Sequence, residues 1–171
     1  MRITQHTDYA LRVLMYVGGN PDRLVTIAEI AERFAISRTH LMKVVNQLVR
    51  EGFLHGQRGK GGGLRLGMKP GEIRVGDVIR HMEPDLNLVE CFGNSSACLI
   101  DRGCRLKCAL LEALDAFLAV LDRYTLADLL GNPGTLRLLT VVHMVQRDPM
   151  SDKPGARQAS GVSLTTKAGP P

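Results

Sequence analysis

Residues 37–66 read SRTHLMKVVNQLVREGFLHGQRGKGGGLRL, and this stretch decides the fold. Leu41, Val44, Val45 and Leu48 recur on one face of a helix that Ser37 is placed to cap and Gly52 to stop. Opposite them Thr39, Lys43, Asn46 and Arg50 form one polar row, with Arg38 and His40 at the helix N-terminus. Phe53-Leu54-His55 and Leu64-Arg65-Leu66 then alternate like short strands, joined by Gly56-Gln57-Arg58-Gly59-Lys60-Gly61-Gly62-Gly63. A hairpin directly after such a helix is a wing. Its glycines, Gly61 and Gly62 among them, permit positive φ and close backbone approach, and Arg58 and Lys60 put charge at the tip.

Upstream, residues 3–17 carry Leu11, Leu14 and Met15 at helical spacing, and Gly18-Gly19-Asn20-Pro21 ends the pattern. Thr26 is placed to cap a short helix through Ile27, Ile30 and Ala31, with Glu29 at the capping-box position. Phe34-Ala35-Ile36 makes a tight connection to Ser37. Two short helices joined in this way are a helix-turn-helix. The sequence therefore predicts a mainly α chain with a small β-hairpin: a winged helix-turn-helix. Hydroxyl, amide and cationic side chains on the polar row suit phosphates and base edges in a major groove, although an ordinary solvated helix face has the same composition. The glycine-rich loop is not a nucleotide cradle. Lys60 is followed by Gly61 rather than Ser or Thr, and no Gly-x-Gly-x-x-Gly can be completed.

Charge agrees with that layout. The 171 residues carry 22 Lys+Arg and 17 Asp+Glu, but residues 1–82 hold 13 of the cations against 7 anions, whereas 83–130 hold 4 against 8. A basic block in the winged-helix half suggests a polyanionic partner. Aromatics make up 4 % and Trp is absent, so the core is aliphatic. Glu112, Asp115 and Asp122 interrupt the most apolar stretch, which excludes a membrane span. Asp8 and Arg12 break the N-terminal one, which does not read as a secretory signal and predicts a cytoplasmic protein.

Beyond the wing, Val75 to Met82 reads as a short helix with Pro84 at its exit, and residues 91–104 as a loop. Leu106 to Tyr124 forms the longest helix, with two overlapping apolar rows: Leu110, Leu114, Phe117, Leu121, Tyr124 and Leu111, Leu114, Leu118, Leu121. A stripe this wide either thickens the chain's own core or reaches a second copy. A homodimer is preferred, since dimers double the contacts on palindromic sites. The chain thus divides into a DNA-binding unit (1–82), a cysteine loop (83–105), a dimerisation helix with a C-terminal helical segment (106–146) and a disordered tail (147–171).

All four cysteines fall in one short stretch, spaced Cys91-x6-Cys98-x5-Cys104-x3-Cys108. In a reducing compartment such a group points to metal, because thiolates are soft ligands for zinc or iron–sulfur. Structural zinc brings its cysteines in closer pairs, and only the last gap fits. Wider gaps let a loop wrap an iron–sulfur cluster. Unrelated thiols and a redox disulfide remain the alternatives. Cys108 is either a further ligand or a small apolar residue under the helix.

Together these features resemble the Rrf-type winged-helix regulators, most of all their nitric-oxide-sensitive iron–sulfur repressors, over about residues 1–145. The resemblance is carried by Thr7-Asp8-Tyr9-Ala10-Leu11-Arg12, Ser37-Arg38-Thr39-His40, Val45-Asn46-Gln47-Leu48 and Arg58-Gly59-Lys60-Gly61-Gly62-Gly63-Leu64-Arg65-Leu66. It continues in Gly76-Asp77-Val78-Ile79-Arg80, Glu83-Pro84, Leu88-Val89-Glu90-Cys91, Cys104-Arg105-Leu106-Lys107 and Tyr124-Thr125-Leu126-Ala127-Asp128-Leu129. It implies a homodimeric repressor with one iron–sulfur cluster per subunit, 4Fe-4S in preference to 2Fe-2S. Cys91, Cys98 and Cys104 would ligate it, with Asp8 from the partner's first helix as fourth ligand and Cys108 as the alternative. An acid near a helix start is also favoured by the helix dipole alone. A branch of the family that uses a histidine three residues after the third cysteine is disfavoured by Lys107. The resemblance further implies that nitric oxide is the signal, that a palindromic double-stranded operator is the partner, and that the protein is not an enzyme. A sister regulator sensing cluster supply or redox state, an iron–sulfur electron-transfer protein and a zinc-stapled DNA-binding module are the rival readings.

Overall fold

The structure, a computed structural model, describes residues 2–93, 98, 100 and 103–140. The tail expected to be disordered, 147–171, and the last part of the C-terminal helical segment lie outside these residues. Helix α1 spans Gln5–Gly18, and its cap is Thr4, whose hydroxyl accepts from the Thr7 amide. Its inward face carries Ala10, Val13, Leu14, Tyr16 and Val17, all buried. Helix α2 (Ile27–Phe34) is capped by Thr26, which accepts from the Glu29 amide. Only half of the expected capping box forms. The Glu29 carboxylate turns sideways to the guanidinium of Arg23 and the phenol of Tyr16, a charge-assisted pairing stronger than one amide offers.

Ala35 ends α2 in the left-handed region (φ 52°), and the chain reaches α3 (Arg38–Arg50) within a few residues. Ser37 caps α3 by accepting from the His40 amide, and Leu41, Val44, Val45 and Leu48 enter the core, as the periodicity predicts. Strands β1 (Leu54–Gln57) and β2 (Gly63–Leu66) pair antiparallel, with Leu54 opposite Leu66 and Gln57 opposite Gly63. Strand β1 runs two residues and β2 one residue farther toward the turn than the alternation indicates, so the tip narrows to residues 58–62. Val25, just before α2, exchanges both backbone hydrogen bonds with Leu64 and ties the wing to the helix-turn-helix.

Helix α4 (Val75–Met82) follows a 3-10 turn, and α5 spans Arg105–Leu121, with Cys104 as its cap. Helix α5 ends earlier than the apolar rows suggest. The Tyr124 carbonyl accepts from Val75, Arg74 bridges Thr125, and Thr125 caps α6 (Leu126–Leu130) through a full box with Asp128. Helix α7 (Pro133–Thr140) closes the described chain.

Two apolar clusters result. The larger lies among α1, α2, α3, the wing and α4, and takes in Leu126 and Leu139 from the last two helices. The smaller sits between α4 and α5, formed by Val75, Ile79, Leu114 and Leu118 and flanked by Leu88, Phe92 and Phe117. Leu11 of α1 packs on both. On α5 only Leu114 and Leu118 are buried, while Leu106, Leu111 and Val120 stand exposed. Among the described residues no helix is long and apolar enough to cross a membrane.

Candidate nucleic-acid interface and cysteine site

The polar row reaches the surface as its spacing requires. Ser37, Arg38, Thr39, Lys43 and Asn46 are exposed on α3, while Arg50 pairs with the neighbouring Glu51 carboxylate at 3.0 Å. Arg58 and Lys60 are exposed at the wing tip. Among the described residues Arg38, Lys43, Arg58 and Lys60 have no ion-pair partner, so the recognition helix and the wing tip each carry two unpaired cations. Gly61 has φ +80°, and a Cβ on Gly62 would lie 2.3 Å from the Gln57 carbonyl oxygen. The tip conformation therefore excludes side chains at that position. Between wing and recognition helix runs an open cleft lined by Thr26, Asn46, Val49, Gln57 and Arg58.

His40 is placed differently from its exposed neighbours. It is half-buried, with its ring edge-on to Tyr9 at 5.0 Å and stacked near His6 at 6.1 Å. Behind α3 a polar seam fixes the helix. The Gln47 amide nitrogen donates to the His81 carbonyl of α4 (2.6 Å), which leaves its oxygen to accept from His6 Nε2 of α1 (2.9 Å). Sequence reading singled out neither His6 nor His81. Their link to Gln47 spans 41 and 34 residues, and no local pattern encodes it.

A second clip sets α1 against α2. Burial and the nearby Glu29 push the Tyr16 phenol above its usual pKa. Burial works against the Glu29 carboxylate too, but hydrogen bonds from Arg23 and Tyr16 outweigh it and hold its pKa below the ordinary value. Farther along, Arg80 of α4 grips Asp122 with two 2.7 Å bonds, joining α4 to the end of α5 and lowering the Asp122 pKa.

The cysteines lie along the connection from α4 to α5. Cys91 sits half-buried in a 3-10 turn at Glu90–Phe92, and Cys98 is exposed. Cys104 is half-buried at the start of α5, where its sulfur accepts from the Lys107 amide at 3.4 Å, and Cys108 is exposed one turn later. Asp8 stands in the first turn of α1, partly exposed and paired with Arg12 at 2.8 Å. Arg12 also lies over the Tyr9 ring, 5.9 Å from its centroid. Among the described residues no three Cys, His, Asp or Glu side chains converge on a common point.

Residues 3–132 match the Rrf2 family, described as iron-dependent transcriptional regulators. The chain belongs to the Rrf2 family. It is thus a DNA-binding winged-helix transcriptional regulator, and not an enzyme. It is similar to the HTH-type transcriptional regulator NsrR of Bacillus subtilis, 50 % identical over 134 residues, covering 77 % of this chain and 92 % of the relative. To NsrR of Bacillus licheniformis it is 47 % identical over 141 residues, covering 81 % and 99 %. Among solved structures it resembles CymR, the global cysteine regulator of B. subtilis (TM-score 0.62, 26 % identity, 77 % of this chain and 97 % of that one). T. potens IscR is similar as well (TM-score 0.61, 26 % identity, 77 % and 87 %). The same winged-helix frame in these Rrf2 regulators agrees with the fold the sequence predicts.

Proposed function

We propose that this Rrf2 regulator is a homodimeric, cytoplasmic repressor that holds a palindromic operator and releases it when nitric oxide attacks an iron–sulfur cluster, 4Fe-4S in preference to 2Fe-2S. The observation that carries the reading is α1. It exposes Asp8 at its first turn, and the adjacent Tyr9 packs on His40 of the recognition helix. In this reading residues 1–82 bind DNA, 83–105 hold the cluster and 106–146 dimerise through the uncovered apolar side of α5.

The donor chemistry fits the group: three thiols on one connection, Cys91, Cys98 and Cys104, with the partner's Asp8 completing the set and Cys108 as the alternative. When bound, the cluster supplies an iron whose carboxylate ligand is more labile than a thiolate and so is open to a small molecule. As a ligand, Asp8 would be drawn away from its pair with Arg12. Arg12 is the cation over Tyr9, so its release alters the contact on which His40 and the start of α3 rest. Without that ligation Asp8 would be free to pair with Arg12 as it does here. The row Ser37, Arg38, Thr39, His40, Lys43 and Asn46 serves the major groove, with His40 steadying the helix from behind. Arg58, Lys60, Gly61 and Gly62 serve the flanking backbone or minor groove.

Anaerobic purification tests the reading. A brown protein that bleaches with a few equivalents of nitric oxide and then frees its DNA is the expected result. A colourless zinc protein with unchanged DNA binding overturns it. Asp8→Ala and Cys108→Ala, compared for cluster retention, identify the fourth ligand.

A further inference from the structure

Met42 is 51 % exposed on α3 and belongs to neither apolar cluster. A lone apolar side chain at a surface needs no explanation in general. Its neighbours distinguish this one. Arg38 stands one turn before it, Asn46 one turn after, and Lys43 beside it, all exposed and none of the cations paired among the described residues. The other exposed apolar residue of α3, Val49, borders the cleft beside the wing strands, so the wing limits what reaches it. Met42 is the more exposed of the two.

We infer that Met42 is a specificity-determining residue that reads the C5-methyl group of a thymine in the major groove, about two steps from a base pair read by Asn46. The inference rests on the DNA-reading face proposed above and deepens it. Phosphate contacts by Arg38 and Lys43 set the register but carry no base identity. An Asn amide matches the donor–acceptor edge of adenine, and only apolar contact distinguishes thymine by its methyl group. Four residues of helix advance about 6 Å, a little under two base-pair steps, so Met42 and Asn46 address pairs about two steps apart. An unbranched thioether chain adapts its rotamers to a methyl group without demanding one fixed approach.

Uracil scanning tests this, because thymine and uracil differ there by the methyl group alone. The full chain, purified anaerobically, first selects its preferred duplex from a random pool. Each thymine of that duplex is then replaced by uracil, and affinities are measured for wild type and Met42→Ala. One symmetric pair of positions should lose about fourfold per half-site in the wild type, the worth of one buried methyl group. Met42→Ala should bind the thymine and uracil duplexes equally at that pair while keeping the wild-type penalties elsewhere. The inference is overturned if no uracil weakens the wild type, or if Met42→Ala retains every penalty. Failure of the underlying reading is distinct from both: no duplex is enriched from the pool.

Discussion

Gln47 is the side chain on which the seating of the recognition helix turns. Its amide spans from α1 to α4, accepting from His6 Nε2 at 2.9 Å and donating to the His81 carbonyl at 2.6 Å, in a half-buried position. Gln47→Ala removes both bonds. At about 1 kcal/mol net for each, the loss is about 2 kcal/mol. With a slope of about 2 kcal/mol/M, the urea midpoint falls by about 1 M. The measurement is urea unfolding of the full chain at fixed protein concentration, with the same loading state for both proteins, because bound groups and dimerisation shift apparent stability. The effect on DNA should be indirect: a looser α3 weakens the selected duplex, while weak binding to unrelated duplex, supplied by exposed cations, barely changes. The reasoning is refuted if Gln47→Ala leaves the urea midpoint unchanged yet weakens the selected duplex, since Gln47 would then contact bases rather than hold the helix.

Glu29→Ala strips Tyr16 and Arg23 of their shared acceptor and should cost about 2 kcal/mol in thermal or urea unfolding, the penalty for a buried hydroxyl left without a partner. Because the folded pKa of Glu29 lies below its ordinary 4.5, its carboxylate stabilises fully above that pH. That contribution is lost as pH falls below 4.5 toward the folded value, so the acid limb of stability should flatten in Glu29→Gln. Gly62→Ala forces a Cβ toward the Gln57 carbonyl at 2.3 Å; DNA affinity should drop while the helical circular dichroism stays constant. Arg58→Ala and Lys60→Ala should each reduce the dependence of log affinity on log salt by about 1.8 for the dimer, the cation of each subunit neutralising one phosphate, read from titrations over a range of salt.

The sequence makes the DNA-reading half legible because its signals are local. Ser37 and Thr26 cap where hydroxyls precede apolar periodicity, and the glycine-rich turn sits between alternating residues in the register that pairs them. Glu29 shows where that logic stops. Three residues after a threonine it fits a capping box, but Arg23 and Tyr16 arrive from other segments and claim its carboxylate. His40 reads as a free helix-start residue, yet Tyr9 and His6 from α1 cover its ring. The end of α5 was hidden for the same reason, because Tyr124 looks helical until Val75 bonds its carbonyl. The cysteines are legible as chemistry from composition and spacing, whereas their geometry depends on contacts that spacing does not describe.

The bonds that stop α5 do more than terminate a helix. Leu126 donates to the Ile73 carbonyl and Val75 to that of Tyr124, so the chain is clasped to itself at the base of a closed ring running from 75 to 124. All four cysteines lie inside that ring, with α4 and α5 as its two rigid sides. Between α4 and α5 lies the smaller apolar cluster, and Leu11 of α1 packs against it. The helix that carries Asp8 therefore rests on the two helices that flank the cysteines.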